Sequence, residues 1–307
     1  MAELEFDDPH RLASAGVVVG VDGSAGARLA LHWAADFAAA RDRELRIVHG
    51  LDLVGTAAVA GPYATVVPEA IEALRSGGRA LVRQAVDTVL AVHPDLRVSA
   101  HVYEDSAAGA LIELSARAHA VVLGATGTLG TLAHLGSTLL SVTAHAAGTV
   151  IVVRPDPLVD DGVRESGPVV VGVDCGPVSE PAIAAAFAEA SERGVDLIAL
   201  HVWSDWDAGR YAGAKPSPTL DGVEDIEESV LAERLAGWPA KYPDVTVQRR
   251  IYLSGAAAQL REWSKYAQLV VVGNRGRGGF TGMLLGSTAH FLIQHADCPV
   301  MVVHDRH

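Results

Sequence analysis

The chain contains the stretch Gly16-Val-Val-Val-Gly-Val-Asp22, which recurs 152 residues later as Pro168-Val-Val-Val-Gly-Val-Asp174. Each copy holds an uninterrupted β-branched run, which is typical of a strand buried on both faces of a parallel sheet. Solenoid repeats have periods of about 20–50 residues, so a period this long indicates two copies of a whole domain. The length of 307 residues agrees with this, since it corresponds to about two ordinary domains.

The repeat extends well beyond its opening strand. Val121-Val-Leu-Gly124 matches Val270-Val-Val-Gly273 at nearly the same offset. Between the copies lies a segment of Pro, Gly and acidic residues, 155–167, whose composition is typical of a solvated linker. We therefore predict a first domain over residues 1–155, a linker over 156–167 and a second domain over 168–307.

Each copy alternates short apolar runs with longer helical patterns. One such pattern has Leu29, Trp33, Phe37 and Ala40 at helical spacing, which predicts that these residues form its buried face. Strands separated by helices predict right-handed crossovers and an α/β fold with two tandem, open, five-stranded parallel sheets of Rossmann-like type. Ligands of such sheets bind at the carboxyl ends of the strands, where the winding direction switches. The loops after the first and fourth strands are therefore the predicted site.

The composition excludes several classes of partner. With 37 acidic and 24 basic residues the formal net charge is −13, which argues against broad nucleic-acid binding. No apolar run approaches the roughly 20 residues of a membrane span, and the first residues lack the pattern of a signal peptide. Two cysteines, Cys175 and Cys298, make neither a disulfide framework nor a zinc set. These features predict a soluble, cytoplasmic protein with no nucleic-acid or membrane partner.

The loop after the fourth predicted strand carries a glycine motif in both copies. The second copy has the longer spacing, Gly273-x2-Gly276-x9-Gly286-Ser287-Thr288. The first copy reads Gly124-x2-Gly127-x8-Gly136-Ser137-Thr138. Glycines let backbone N–H groups approach a phosphate, and the Gly-Ser-Thr segment opens a helix whose amino terminus favours an anion. Neither the Walker pattern nor a GxGxxG turn in the right context is present, so the two commonest phosphate loops are excluded.

Two Val-Val-Val-Gly-Val-Asp strands, each followed about 100 residues later by this glycine loop, resemble a tandem universal stress protein of the ATP-binding type. The resemblance covers residues 16–154 and 168–304 and implies domains of the adenine-nucleotide alpha-hydrolase-like fold. It implies ATP as the ligand and leaves open whether Mg²⁺ accompanies it. In the second half it implies nucleotide contacts from Asp174, Val202, Gly273, Arg275, Gly276, Arg277, Gly286, Ser287 and Thr288. In the first half it implies them from Asp22, Gly50, Gly124, Gly127, Gly136, Ser137 and Thr138.

Each half departs from the family pattern once. The first glycine loop is one residue shorter and has no arginine, whereas the second has Arg275 and Arg277, which could neutralise phosphate. In the second half Cys175 replaces the glycine found at Gly23, where a Cβ is unfavourable if φ is positive. We expect the second half to be the stronger triphosphate site.

The resemblance implies a nucleotide-dependent regulator of stress response or growth, acting as a homodimer with an unidentified regulatory partner. Two alternatives stay open: a slow ATP hydrolase, and a nucleotide-free interaction or scaffold protein with degenerate sites. Efficient turnover is not expected, because no second acidic motif stands at a fixed place beside the glycine loop to hold a metal. No catalytic residue and no metal ligand is assigned.

Structural explanations compete with these assignments. Glycine-rich turns also serve ordinary packing, and Asp22 and Asp174 could satisfy backbone donors at a helix start. Arg275 and Arg277 could be solvated loop charges. His49 and His201 stand at equivalent strand ends without a spaced partner, which favours packed or capping histidines over metal ligands.

Overall fold

The structure, a computed structural model, describes residues 15–53, 67–126, 136–159, 162–204, 223–276 and 284–305. These residues form two compact units, the first ending at Val153 and the second beginning at Arg154. Two predicted site residues, Gly127 and Arg277, lie outside the described residues.

The described part of the first unit alternates five strands with four helices. The strands are β1 (Val17–Gly20), β2 (Leu45–Gly50), β3 (Val98–Tyr103), β4 (Ala120–Gly124) and β5 (Val150–Val153). The helices are α1 (Ala25–Ala39), α2 (Val67–Val92), α3 (Ala107–Ser115) and α4 (Ser137–His145).

The second unit repeats this order with small differences. Its strands are β6 (Val169–Val173), β7 (Leu197–Ser204), β8 (Val247–Ser254), β9 (Leu269–Gly273) and β10 (Val300–Val303). Its α-helices are α5 (Glu180–Arg193), α6 (Val223–Arg234), α7 (Trp238–Lys241), α8 (Ala256–Ser264) and α9 (Ser287–His295). A 3₁₀ turn, Pro177–Ser179, precedes α5 and has no counterpart at the start of α1.

Each unit is an open parallel sheet whose strand order reverses once. The order is β3-β2-β1-β4-β5 in the first unit and β8-β7-β6-β9-β10 in the second. In register, Val17 pairs with Leu45 of β2 on one side and with Ala120 of β4 on the other. Because β2 and β4 lie on opposite sides of β1, the winding direction switches between β1 and β4, and likewise between β6 and β9. The predicted α/β fold with two five-stranded parallel sheets is confirmed.

The central strands supply most of the core, as their unbroken apolar sequence predicts. The side chains of β1, β4 and β5 are almost fully inaccessible, because helices cover both faces of the sheet. The predicted buried face of α1 is wrong in part: Phe37 is buried, but Leu29 and Trp33 are only half-buried and Ala40 is exposed. Small alanines form most of the true face, since they let the helix pack closely on the sheet. They are Ala27, Ala30, Ala34, Ala35 and Ala38.

The predicted linker is not wholly solvated. Asp156 is buried, and its carboxylate lies 2.9 Å from the Arg164 guanidinium, whose side chain is also largely covered. The Asp156 amide in turn donates to the carbonyl of Gly162 at 2.9 Å. This ion pair folds the segment back on itself, which a composition rich in Pro and Gly does not reveal.

No helix among the described residues is long and apolar enough to cross a membrane.

Candidate functional site

Two loops meet at the switch point of each unit. In the first unit the loop after β1 carries Asp22, and the loop after β4 begins at Gly124. In the second, the corresponding loops carry Asp174 and begin at Gly273. Because the carboxyl ends of adjacent parallel strands lie at one edge of the sheet, each pair of loops flanks a common crevice.

Asp22 and Ser24 organise the first loop. Oδ1 of Asp22 accepts a hydrogen bond from the Ser24 amide at 2.9 Å. Ser24 is the N-cap of α1: its Oγ accepts from the Ala27 amide at 3.0 Å and donates to the Thr126 carbonyl at 3.2 Å. Gly23 adopts a φ of 82°, in the left-handed region that favours glycine. Ser24 therefore joins the two loops as well as capping the helix.

We expect Ser24→Ala to lower the free energy of unfolding of the first unit by about 1 kcal/mol, because it removes the helix cap. Ser24→Asn keeps a side-chain acceptor for the helix, so its free energy of unfolding should stay close to that of the parent chain. Urea denaturation of the two variants measures the difference, and equal stability of alanine and asparagine variants would contradict the capping role.

Close backbone packing explains several of the first-unit glycines. A Cβ on Gly124 would lie 2.3 Å from the carbonyl carbon of Gly26, and a Cβ on Gly26 would lie 2.2 Å from the Thr126 oxygen. A Cβ on Gly50 would lie 2.3 Å from the Ala107 amide nitrogen. For Gly50 and Gly124 the packing explanation is therefore sufficient by itself.

Gly136 has no such explanation. Its φ is −62°, which any residue adopts, and a Cβ there would meet no described atom within 4 Å. It is the N-cap of α4, and Ser137 and Thr138 form the first turn of that helix, with Ser137 exposed. A glycine that neither the backbone nor the packing requires is consistent with close approach of a ligand.

The loop after β6 repeats the Asp22 arrangement with a different residue at its bend. Oδ1 of Asp174 accepts from the Gly176 amide at 2.8 Å. Cys175 adopts a φ of 58°, so this position is left-handed in both units even though only the first has glycine there. The sequence-based concern about a Cβ at positive φ is therefore justified: the second unit holds a strained cysteine where the first has Gly23.

The start of α5 differs from that of α1, and Val178 lies at the point of difference. Val178 stands where the first unit has Gly26, whose backbone touches the fourth-strand loop. A Cβ on Gly273 would lie 3.6 Å from the Val178 carbonyl oxygen. The equivalent distance in the first unit, from a Cβ on Gly124 to the Gly26 carbonyl oxygen, is 2.3 Å. The first turn tightens to 3₁₀ geometry, and the two loops of the second unit stand further apart.

The glycine loop of the second unit lies against the Asp174 loop. A Cβ on Gly276 would lie 3.4 Å from Oδ2 of Asp174, an ordinary contact, so this packing does not require glycine there. The loop returns to itself where the Gly286 amide donates to the Asn274 carbonyl at 2.7 Å. Gly286 is the N-cap of α9, whose first residues are Ser287 and Thr288.

The remaining predicted residues surround this crevice less closely. Arg275 is exposed at the edge of the glycine loop, and Val202 lies near the end of β7, where it pairs with Tyr252 of β8. Gly273 ends β9, beside Arg275. The structure therefore brings Asp174, Gly276 and the start of α9 to one loop cluster, with Val202 on the neighbouring strand.

The two strand-end histidines bind backbone rather than standing open to solvent. Nδ1 of His49 lies 2.8 Å from the Val21 carbonyl oxygen, and Nδ1 of His201 lies 2.7 Å from that of Val173. This supports the packed or capping interpretation. In the second unit the ring also meets Cys175 and Glu227, a contact that sequence spacing does not reveal because the residues lie on separate elements.

The repeated open sheet and its paired loops define a tandem α/β protein of the doubly wound class. The sequence profile of the Universal stress protein family matches residues 16–154 and again residues 166–304. The chain therefore belongs to the universal stress protein family and carries two of its domains.

Individual relatives agree with this assignment over nearly the full length. A universal stress protein of Mycolicibacterium smegmatis is 43% identical over 299 residues, covering 95% of this chain and 97% of that protein. Universal stress protein Rv2005c of Mycobacterium tuberculosis is 41% identical over 293 residues, covering 94% and 96%. The crystal structure of a universal stress protein from Archaeoglobus fulgidus matches with a TM-score of 0.66 at 18% identity, covering 96% and 99%, and so shares the fold.

Proposed function

We propose that the chain binds an adenine nucleotide, ATP in the first instance, in the switch-point crevices and acts as a nucleotide-dependent regulator of stress response or growth. The observation that carries the proposal is the placement of Asp174 beside Gly276, in the glycine motif that leads into α9. A carboxylate that can accept from ribose hydroxyls stands next to a glycine loop and a helix amino terminus suited to phosphate. The second unit has the longer loop and the wider separation of its two loops.

The residues present fit a nucleotide triphosphate. No contact with the described residues requires glycine at Gly136 or Gly276, and each lies in its unit's glycine motif. A glycine N-cap supplies no side-chain oxygen, so the first-turn N–H groups of α4 and α9 suit an external anion as acceptor. No residue is assigned to a reaction of the nucleotide. The proposed role of the nucleotide is therefore that of a bound ligand, recognised by its charge and shape.

Charge also favours a compact anion over an extended one. The net charge of −13 repels polyanions at long range, whereas backbone N–H groups and Arg275 act only within their immediate surroundings. Arg277 belongs to the same proposal on sequence grounds alone. An acidic protein can in this way hold a single phosphate chain at one edge of its sheet.

The hydrogen bonding of the Asp174 carboxylate favours a regulatory role over efficient catalysis. Oδ1 of Asp174 accepts a backbone hydrogen bond within its own loop, which suits a positioning role rather than proton transfer. Slow hydrolysis of bound ATP, with Mg²⁺ brought by the nucleotide, is the second candidate function. A scaffold with degenerate sites is the third.

Identification of the co-purifying ligand separates these functions. Denaturing the freshly purified chain and chromatographing the supernatant should release an adenine nucleotide. Absence of nucleotide, together with no change in Tm on adding ATP or Mg-ATP, would contradict the proposal and favour the scaffold. Turnover of many ATP molecules per minute that is lost in Asp174→Ala would instead identify a hydrolase.

A cytoplasmic homodimer is part of the same proposal, made on the family resemblance and on the absence of a disulfide framework in the sequence. Light scattering across a wide concentration range should give twice the 32.0 kDa of one chain. A mass of one chain throughout that range would contradict the dimer.

A further inference from the structure

Cys175, His201 and Glu227 form a line of hydrogen-bonding groups in the second unit. Sγ of Cys175 lies 3.4 Å from Nδ1 of His201, and Nε2 of the same ring lies 3.1 Å from Oε2 of Glu227. The thiol comes from the β6 loop, the imidazole from β7 and the carboxylate from α6. A thiol beside an imidazole that a carboxylate holds in place is one arrangement in which a cysteine becomes reactive.

Both ring nitrogens of His201 face hydrogen-bond acceptors. Nδ1 faces the carbonyl oxygen of Val173 at 2.7 Å, which can only accept a proton. Nε2 faces the carboxylate of Glu227, which accepts as well. These two contacts fix the ring 3.4 Å from the sulfur, and a thiol held beside a histidine is more reactive than one in apolar surroundings.

The three groups do not suit a metal ion. The sulfur and the carboxylate approach opposite nitrogens of one ring, so they cannot ligate one metal together with it. Among the described residues no group of three His, Cys, Asp or Glu side chains is placed to hold a metal. Cys175, His201 and Glu227 therefore form a hydrogen-bonded series of side chains, which we call the Cys175 relay, rather than a metal site.

The first unit shows which part of this arrangement is structural. There His49 makes the same bond to the β1-loop carbonyl, at 2.8 Å from Val21, while Gly23 stands at the position of Cys175. The histidine thus has a packing role in both units. The thiol is an addition of the second unit, held at a φ of 58° that a glycine would adopt without strain.

We propose that Cys175 is a modifiable thiol, which hydrogen peroxide oxidises to a sulfenic acid with His201 and Glu227 as positioning residues. The thiol releases its proton to solvent, the thiolate sulfur attacks one peroxide oxygen, and an S–O bond forms as the O–O bond breaks. The departing hydroxide takes up a proton to give water, so thiol and peroxide yield sulfenic acid and water. Sulfur is oxidised by two electrons and peroxide is reduced. Cys175 as a residue is 6% exposed, so a reagent as small as peroxide is the suitable oxidant.

The added oxygen would lie in the loop that carries Asp174. Oxidation would then weaken nucleotide binding in the second unit, a consequence that rests on the proposed function. The oxidation itself does not depend on nucleotide, so its test can be made without any.

Cys298 provides an internal control. It is fully buried, and desolvation raises the pKa of its thiol far above the ordinary value, which keeps it protonated and unreactive. The folded chain is treated with hydrogen peroxide for varied times, the peroxide is removed with catalase, and the chain is then denatured in dimedone, which traps sulfenic acids. Adducts at each cysteine are counted by peptide mass spectrometry. Cys175 should be labelled at least about tenfold faster than Cys298.

Glu227→Gln tests the relay without removing the buried ring. It replaces a partly exposed carboxylate by a neutral amide of the same shape, so the fold should survive, as a thermal melt would verify. Labelling of Cys175 should slow by about tenfold while Tm changes little. In denaturant both cysteines should react alike in either chain, which shows that the reagents are competent. Equal rates at Cys175 and Cys298 in the folded chain, or equal rates at Cys175 with and without Glu227, would overturn the proposal.

Discussion

Gly124→Ala is expected to destabilise the first unit by about 3 kcal/mol, at the upper end for an overpacked site. The new Cβ would lie 2.3 Å from both the carbonyl carbon and the oxygen of Gly26 and 2.9 Å from the Ala27 amide nitrogen. These are backbone atoms of the first turn of α1, which Ser24 ties to the adjoining loop, so they cannot move aside cheaply. For a unit of this size the Tm of the corresponding transition should fall by roughly 10 °C.

Gly136→Ala is the matched control for this prediction. It makes the same change in the same glycine motif, but its Cβ would meet no described atom within 4 Å. Its free energy of unfolding should stay within about 0.5 kcal/mol of the parent chain. Calorimetric scans of both variants make the comparison, and equal Tm values for the two would refute the close packing of Gly124 on α1.

Gly276→Val is expected to weaken ATP binding in the second unit about 100-fold, which corresponds to about 2.7 kcal/mol. A branched side chain on Gly276 would occupy the space beside Asp174 where backbone is proposed to approach phosphate. The variant is made in a chain that also carries Gly136→Val, so that the first unit does not mask the loss. Titration calorimetry with ATP measures both the affinity and the number of sites.

Folding must be unaffected for this result to be informative. Gly276 is exposed and has no positive φ that would require glycine, so Tm should change by no more than about 2 °C. Gly77→Val, in the middle of α2 where a Cβ meets nothing within 4 Å, controls for glycine replacement at a distance from the site. Unchanged ATP affinity in Gly276→Val would show that the second crevice has been assigned wrongly.

The fold could be predicted from the sequence because its signals are local and repeated. The runs Val17–Val21 and Val169–Val173 contain the buried strands β1 and β6, and their repetition indicates two domains. The position of the proposed site follows from the same pattern, since parallel sheets of this class bind ligands where their winding reverses. Asp174 and Gly276, about 100 residues apart in sequence, are indeed neighbours in space.

Contacts between separate elements could not be predicted, because no regular spacing in the sequence marks the residues that make them. Gly26 lies within a helical stretch, and nothing local marks it as the partner of Gly124. Val178 stands at the same position in the second copy, where a 3₁₀ turn precedes α5. Hydrophobic periodicity places the large side chains of α1 on its buried face. In the structure that face consists mostly of alanines, which allow close packing on the sheet.

The Cys175 relay shows the same limit. Positive φ at Cys175 could be anticipated from the glycine at Gly23, because equivalent loops share backbone geometry. The approach of His201 and Glu227 could not, since it depends on where α6 lies beside β7. Reactive chemistry in repeated domains can therefore arise from one substitution onto a scaffold that the other copy uses only for packing.

Titration of the ligand-free chain with ATP tests the central claim most directly. Nucleotide is first removed by unfolding and refolding, and the heat of binding is then recorded with and without Mg²⁺. Saturable binding of at least one ATP per chain, with a rise in Tm under the same conditions, is the predicted result. No heat and no change in Tm at millimolar ATP would contradict nucleotide binding by this universal stress protein.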